Sequence, residues 1–283
     1  MIQDIQPYKL NNQYKNNKPE AESRVLFTEG SLLLLDINGN NIEFPRFKEV
    51  SDKISDITFL FSINEQDFFL AGGTENERST AIGRLKTTGY DLYNIKTIRK
   101  QNPKWLTFAA ATAFQLGKWY ENNKFCGKCG HLLRPSENER AMCCDSCGNI
   151  IYPKICPVVI VGVTNGDKIL LTKYADREHY DRYALIAGFA EIGETIEETV
   201  QREVMEETGV KVKNIRYYKS QPWPFSDSLL FGFFCELDGS DEISMDPGEL
   251  SVATWVHRKD MNVTADDVSL TNEMMVKFKN NLF

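Results

Sequence analysis

The sequence has no uncharged apolar run approaching the ~18–20 residues of a membrane-spanning helix. Its start, MIQDIQPYKLNNQ, carries neither the basic nor the apolar stretch of a secretory signal. A basic excess is missing too: 33 Lys and Arg stand against 40 Asp and Glu, a formal charge of −7. That balance argues against a chain whose main task is coating nucleic-acid backbone, which needs a basic face. Nor is there an even-numbered disulfide framework. The seven cysteines are an odd count, and four of them form two CxxC pairs. In a reducing compartment that pattern points to a metal. The expectation is a cytoplasmic protein with no membrane partner.

What is present is ordinary globular material, 42% hydrophobic and 26% charged over 283 residues, room for two or three domains. Texture separates three regions. Residues 1–120 hold strand-like runs (24–36 and 57–70) with Gly and Asn turns between them, and end in a stretch where Leu106, Ala109, Ala113 and Leu116 recur at helical spacing. No chemistry is visible before Cys126. Residues 121–156 carry the cysteine pairs and few large apolar residues, so burial alone cannot hold them. Residues 157–283 alternate strands (VVIVGVTN, KILLTKY, YALIAGF, VKNIRYYKSQ, SLLFGFFCEL, ATWVH) with a long acidic amphipathic stretch and a helix from about Ser269. The overall class is α+β.

Cys126-Gly-Lys-Cys129 and Cys144-Asp-Ser-Cys147 are two knuckles with fourteen residues between them. Four thiolates at one point suit a closed, tetrahedral structural Zn²⁺, with iron–sulfur ligation or a redox pair as the alternatives. Cys143 could replace Cys144 but would break the CxxC spacing, and His131 competes for a shell already full. Five basic residues against three acidic ones between Lys124 and Lys154 give the ribbon only +2, a weak signal for nucleic acid.

The most specific motif begins at Gly188. Gly188, Glu194, Arg202, Glu203, Val204, Glu206, Glu207, Gly209 and Val210 meet every fixed position of G-x5-E-x7-R-E-U-x-E-E-x-G-U, where U is aliphatic. Thr195 and Glu198 make a capping box that starts a helix, and Gly209 is placed to end it. Glu203, Glu206 and Glu207 then fall on one face, with Val200, Val204 and Ile196 toward a sheet and Arg202 able to pair with a carboxylate. Three crowded carboxylates call for a hard divalent cation, Mg²⁺ or Mn²⁺. Such a cation, held against phosphate oxygens, lets water attack phosphorus. The rival reading is a solvated acidic face. Further on, Ser220-Gln221-Pro222-Trp223-Pro224-Phe225-Ser226-Asp227-Ser228 sets two aromatics in a proline-stiffened turn, suited to stacking a base or nicotinamide ring or else simply core.

Residues 188–210 resemble the Nudix box, and a four-cysteine ribbon, the box and SQPWPF in this order resemble the NADH pyrophosphatases over about residues 120–250. The resemblance implies an α/β/α sandwich with a mixed sheet, preceded by a zinc ribbon and an N-terminal α+β domain. It implies that Glu203 and Glu207, helped by Glu206, the carbonyl of Ala187 and Glu249, hold Mg²⁺ or Mn²⁺. It places substrate contacts at Glu139, Tyr152, Gln221, Pro222, Trp223, Pro224, Phe225, Ser226, Asp227 and Ser228. Ser226 stands where the family commonly has proline, and a C-terminal contact falls near Thr271, where alanine is usual. The activity implied is cleavage of the NAD(H) pyrophosphate to nicotinamide mononucleotide and AMP, with removal of NAD caps from RNA, by a homodimer. Rival expectations are a Nudix hydrolase of ADP-ribose or another nucleotide, and a nucleic-acid-binding regulator with a ligand-sensing Nudix domain.

Overall fold

The computed structural model describes residues 1–175 and 182–283, and the chain forms two compact units: Ile2–Lys154, and Ile155–Phe283 joined by Met1. Among the described residues no helix is long and apolar enough to cross a membrane.

In the first unit, the apolar run 57–70 folds into an antiparallel hairpin, Ile57–Ile63 with Gln66–Ala71, turning at Asn64 with φ 51. Leu10–Asn11 and Arg24–Leu26 extend it to four strands. The second sheet is built on Leu32–Asn38. The helix Lys104–Asn122 buries Leu106, Ala109, Ala113 and Leu116, the face its spacing marked out. The helix Glu75–Lys86 has too few apolar residues to show in the sequence. Only Ala81, Ile82 and Leu85 go inward, though its start, Thr74 with Glu77, is a readable capping box. The ribbon closes this unit as three two-residue strands, Arg134–Pro135, Met142–Cys143 and Ile150–Ile151.

The second unit is organised by the central strand Cys156–Asn165, which pairs in parallel with Ser228–Leu237 and antiparallel with Lys168–Tyr174 and Ile186–Phe189. Val212–Trp223 and Leu250–His257 form the two edges of the mixed sheet. Because successive side chains of a strand point to opposite faces, the apolar run of the central strand fills two cores. Val159, Val161 and Val163 pack with Val200 and Val204 of the helix Ile196–Thr208. Val158 and Ile160 pack with Leu270, Met274 and Phe278 of the helix Leu270–Lys279. A strand buried on both faces has no alternation to lose, which is why this stretch is continuously hydrophobic. The result is the expected helix–sheet–helix sandwich. Each fully buried Val or Leu contributes about 1.5–3 kcal/mol to it.

Candidate metal centre and substrate site

The box helix begins as its sequence requires. Thr195 Oγ1 accepts from the Glu198 N–H and the Glu198 carboxylate accepts from the Thr195 N–H, and the helix stops at Gly209, whose φ of 70 is the left-handed conformation glycine takes without strain. Val200 and Val204 are fully buried and so fix the rotation of the helix about its axis. That rotation sends the glutamates at i and i+4, Glu203 and Glu207, inward at 9% and 2% exposure, and leaves Glu206 facing outward.

Gly188 sits on the neighbouring strand, paired with Val159. A Cβ at this position would fall inside the Glu203 carboxylate, so the absent side chain is the space that carboxylate occupies. Next to it, the backbone N–H of Ala187 acts to lower the Glu207 carboxyl. Burial, and then the charges of Glu203 and Glu249, push the Glu207 carboxyl up to about 8. Its Oε2 is buried with no hydrogen-bond partner. Burial also raises Glu203, a shift opposed by Arg202 and reinforced by Glu206 and Glu249. Glu249 lies in the exposed turn ahead of the strand Leu250–His257. The charges of Glu203, Glu207 and Glu249 thus act on one another, with the Ala187 backbone acting on Glu207.

Arg202 organises the rim. Its Nε and Nη2 hold Glu194, the second contact at 2.9 Å; Nη1 lies 2.7 Å from Glu203 and 2.9 Å from Glu206; Nη2 also donates to the Phe189 carbonyl at 2.9 Å. Glu194 in addition accepts from the Glu191 N–H and the Thr199 hydroxyl. The Arg202 contact, followed by the Glu191 N–H, holds its carboxyl down to about 2. Glu194 therefore serves as the fixed counter-charge of Arg202. Arg202 bridges Glu203 and Glu206, and the cysteines are the one set of three or more potential metal ligands among the described residues lying within 4.8 Å of one another.

Those cysteines converge as their spacing requires: Cys126 and Cys147 Sγ lie 3.6 Å apart, and Cys129 and Cys144 Sγ 3.4 Å. Backbone N–H bonds, led by that of Lys128, lower the Cys126 thiol toward the thiolate a metal needs, while against the His131 N–H the sulfur contacts with Cys147, Cys144 and Cys126 raise Cys129. Cys143 stays outside the set, and Cys235 is buried.

The two aromatics of the substrate segment meet edge to face, Trp223 and Phe225 centroids 4.9 Å apart, both half-buried around a buried Pro224. Pro222 and Trp223 end the edge strand. Asp227 turns the chain at φ 55, and its carbonyl accepts from Cys156 N–H. The Ser226 and Ser228 hydroxyls lie 3.0 Å apart. Gln221 is fully buried, and its amide donates to the Val268 carbonyl at 2.8 Å while accepting from the Leu270 N–H at 2.6 Å. The geometry uses this side chain inside the fold, to seat the last helix. In the other unit Glu139 and Tyr152 are both exposed and joined, Tyr152 Oη donating to Glu139 Oε1 at 3.1 Å. One aromatic that sequence reasoning passed over is Phe189, 52% exposed beside Gly188. The box pattern leaves its position unspecified, so only its exposure next to the carboxylates marks it.

Residues 155–276 match the NUDIX domain and residues 121–152 the NADH pyrophosphatase zinc ribbon domain. The chain is 48% identical over 177 residues to "NAD-capped RNA hydrolase NudC" of Salmonella paratyphi C (strain RKS4594), covering 62% of this chain and 68% of that protein. It is 41% identical over 201 residues to the protein of the same name from Citrobacter koseri, covering 71% and 76%. A NUDIX hydrolase structure from Nitrosomonas europaea is similar at 23% identity and a TM-score of 0.47, over 56% of this chain and 91% of that one. The ribbon match and the converging thiols together make residues 121–152 a structural zinc site. With Glu203, Glu206 and Glu207 carried on one helix and Gly188 on the strand beside it, the chain belongs to the Nudix hydrolases that carry an NADH-pyrophosphatase zinc ribbon.

Proposed function

We propose that this protein is a Mg²⁺- or Mn²⁺-dependent NAD(H) diphosphatase, cleaving the pyrophosphate to nicotinamide mononucleotide, reduced or oxidised, and AMP, and removing NAD caps from RNA 5′ ends. The observation that carries the metal reading is Glu207: a buried carboxylate with an unpartnered Oε2, next to Glu203 and Glu249, is a donor set suited to a hard divalent cation. Glu203, Glu207, Glu249 and the Ala187 carbonyl would hold that cation, with Glu206 alongside. When bound, it would neutralise charge on the phosphate oxygens and favour attack by water at phosphorus. Arg202 keeps the Glu203 carboxylate oriented. Glu206 or a neighbouring box glutamate takes the proton from the attacking water.

Trp223, Phe225 and the exposed Phe189 offer ring faces for the planar ends of a dinucleotide. Glu139 and Tyr152 offer a carboxylate and a hydroxyl to its polar groups. The relatives named above act on NAD-capped RNA, and the ribbon family takes its name from NADH, so NAD-type anhydrides are favoured over ADP-ribose. The same reading makes the enzyme a homodimer, which sedimentation velocity tests.

Incubation with NADH and Mg²⁺ should release AMP, and Glu207→Gln should lower that rate by about two to three orders of magnitude. Turnover of ADP-ribose with NADH left intact would refute the substrate assignment. A Glu207→Gln protein as active as the parent would refute the site.

A further inference from the structure

Residues 12–20 form no helix or strand, yet two of them hold the ribbon loop that carries Glu139. Tyr14 Oη donates to the Ser136 carbonyl at 2.7 Å. Arg140 Nη2 donates to both the backbone and side-chain oxygens of Asn12, each at 3.3 Å, and its guanidinium lies 5.8 Å from the centre of the Tyr14 ring. Loop 136–141 is itself tight, with Ser136 N–H bonded to the Ala141 carbonyl and Ala141 N–H to that of Glu139. Glu139 therefore stands in sequence between two residues fixed by the same strap, Ser136 and Arg140, and its carboxylate accepts from the Tyr152 hydroxyl. The strap is anchored in turn by Asn17, whose amide donates to Asp67 at 2.9 Å on the unit's main hairpin.

The arrangement is costly for Arg140. Its Nη1 is buried without a hydrogen-bond partner, and burial lowers its pKa. Surface loops between short strands rarely retain a half-buried guanidinium whose donors are only partly used. A solvated charge at this position would stabilise the loop more cheaply, but it would not connect the loop to the N-terminal segment.

We propose that Tyr14 and Arg140 are positioning residues for Glu139: the N-terminal strap holds loop 136–140 so that the Glu139 carboxylate and Tyr152 hydroxyl stay presented to the dinucleotide. This rests on the reading of Glu139 as a substrate contact. It gives part of the N-terminal region, where the sequence shows no catalytic motif, a role in substrate binding. Neither Tyr14 nor Arg140 touches the reacting atoms, so their loss acts on binding and leaves the chemical step alone.

The test uses the full-length zinc-loaded protein with NADH and Mg²⁺, and compares Tyr14→Phe, Arg140→Lys, Glu139→Ala and the double variant Tyr14→Phe/Glu139→Ala. Tyr14→Phe removes one hydroxyl, and Arg140→Lys removes the fork while keeping the charge. Each should raise KM by about three- to ten-fold, the worth of one hydrogen bond, with kcat within about two-fold and zinc content unchanged. The double variant should be no worse than Glu139→Ala alone, because the strap acts through that carboxylate. If Glu139→Ala raises KM while Tyr14→Phe and Arg140→Lys leave it unchanged, the strap has no positioning role. Additive effects in the double variant overturn the proposal as well. An unchanged KM in Glu139→Ala removes the substrate-contact reading on which it rests. Should Tyr14→Phe lose zinc, Arg140→Lys decides alone.

Discussion

Arg202 holds Glu194 with two of its guanidinium nitrogens, and turns the third to Glu203 at 2.7 Å and Glu206 at 2.9 Å. One planar cation thereby orders three carboxylates. Lysine is a point charge and cannot reproduce this fork. Arg202→Lys should fold, retain zinc and lose about ten-fold in kcat, with a higher Mg²⁺ concentration needed for half-maximal rate. Steady-state rates over a Mg²⁺ titration check this.

Gly188 is required by volume. Its missing Cβ is where the Glu203 carboxylate lies. Gly188→Ala should displace Glu203, cost about 1–3 kcal/mol of stability as an overpacked site does, and reduce hydrolysis by about 100-fold or more. Thermal unfolding and AMP release measure the two effects separately.

Glu207 makes the metal-free protein sensitive to pH in a definite direction. The unfolded chain loses this proton near the ordinary value of 4.5, whereas the folded chain keeps it up to about 8. Between those values the folded state binds more protons, so stability without metal should decline as pH rises. Glu203, also raised by burial, adds in the same direction. A divalent cation needs the deprotonated form, so the gain in Tm on adding Mg²⁺ should be small at about pH 5 and largest at about pH 8. Melting curves in chelator and in Mg²⁺ across that range test it. Glu207→Gln should flatten both the decline and the gain.

The four thiols should act as a unit. Cys147→Ser leaves three ligands, with Cys126 having lost the neighbour at 3.6 Å. Structural zinc contributes on the order of 10 kcal/mol to folding a segment of this kind. The variant should therefore lose its metal, measurable by elemental analysis, and become cleavable by protease within 121–156.

Much of the box was legible in the sequence because its determinants are local. Thr195 and Glu198 start a helix whatever surrounds them, Gly209 ends it, and the step from Glu203 to Glu207 is one helical turn. The cysteine pairs were legible for the same reason, since a knuckle is set by four consecutive residues. The helix Glu75–Lys86 was passed over because three buried residues give almost no stripe, although its capping box was there to be read. Gln221 shows the opposite limit. An amide beside two aromatics looked available to a ligand, but a backbone segment nearly fifty residues later takes both its ends. No local pattern can disclose such a partner.

The sequence alone determined the family, the thiol set, the helix with its acidic face and the hydrophobic strands, because each depends on residue types at short fixed spacing. Tertiary structure decided what those residues became. Burial of Val200 and Val204 set the helix rotation that drew Glu203 and Glu207 inward and left Glu206 out. Packing against a glycine strand made room for one carboxylate, and desolvation raised another to about 8. Spacing along a helix places charges on a common face; only the matter packed against that face determines which of them are buried, partnered or left to water.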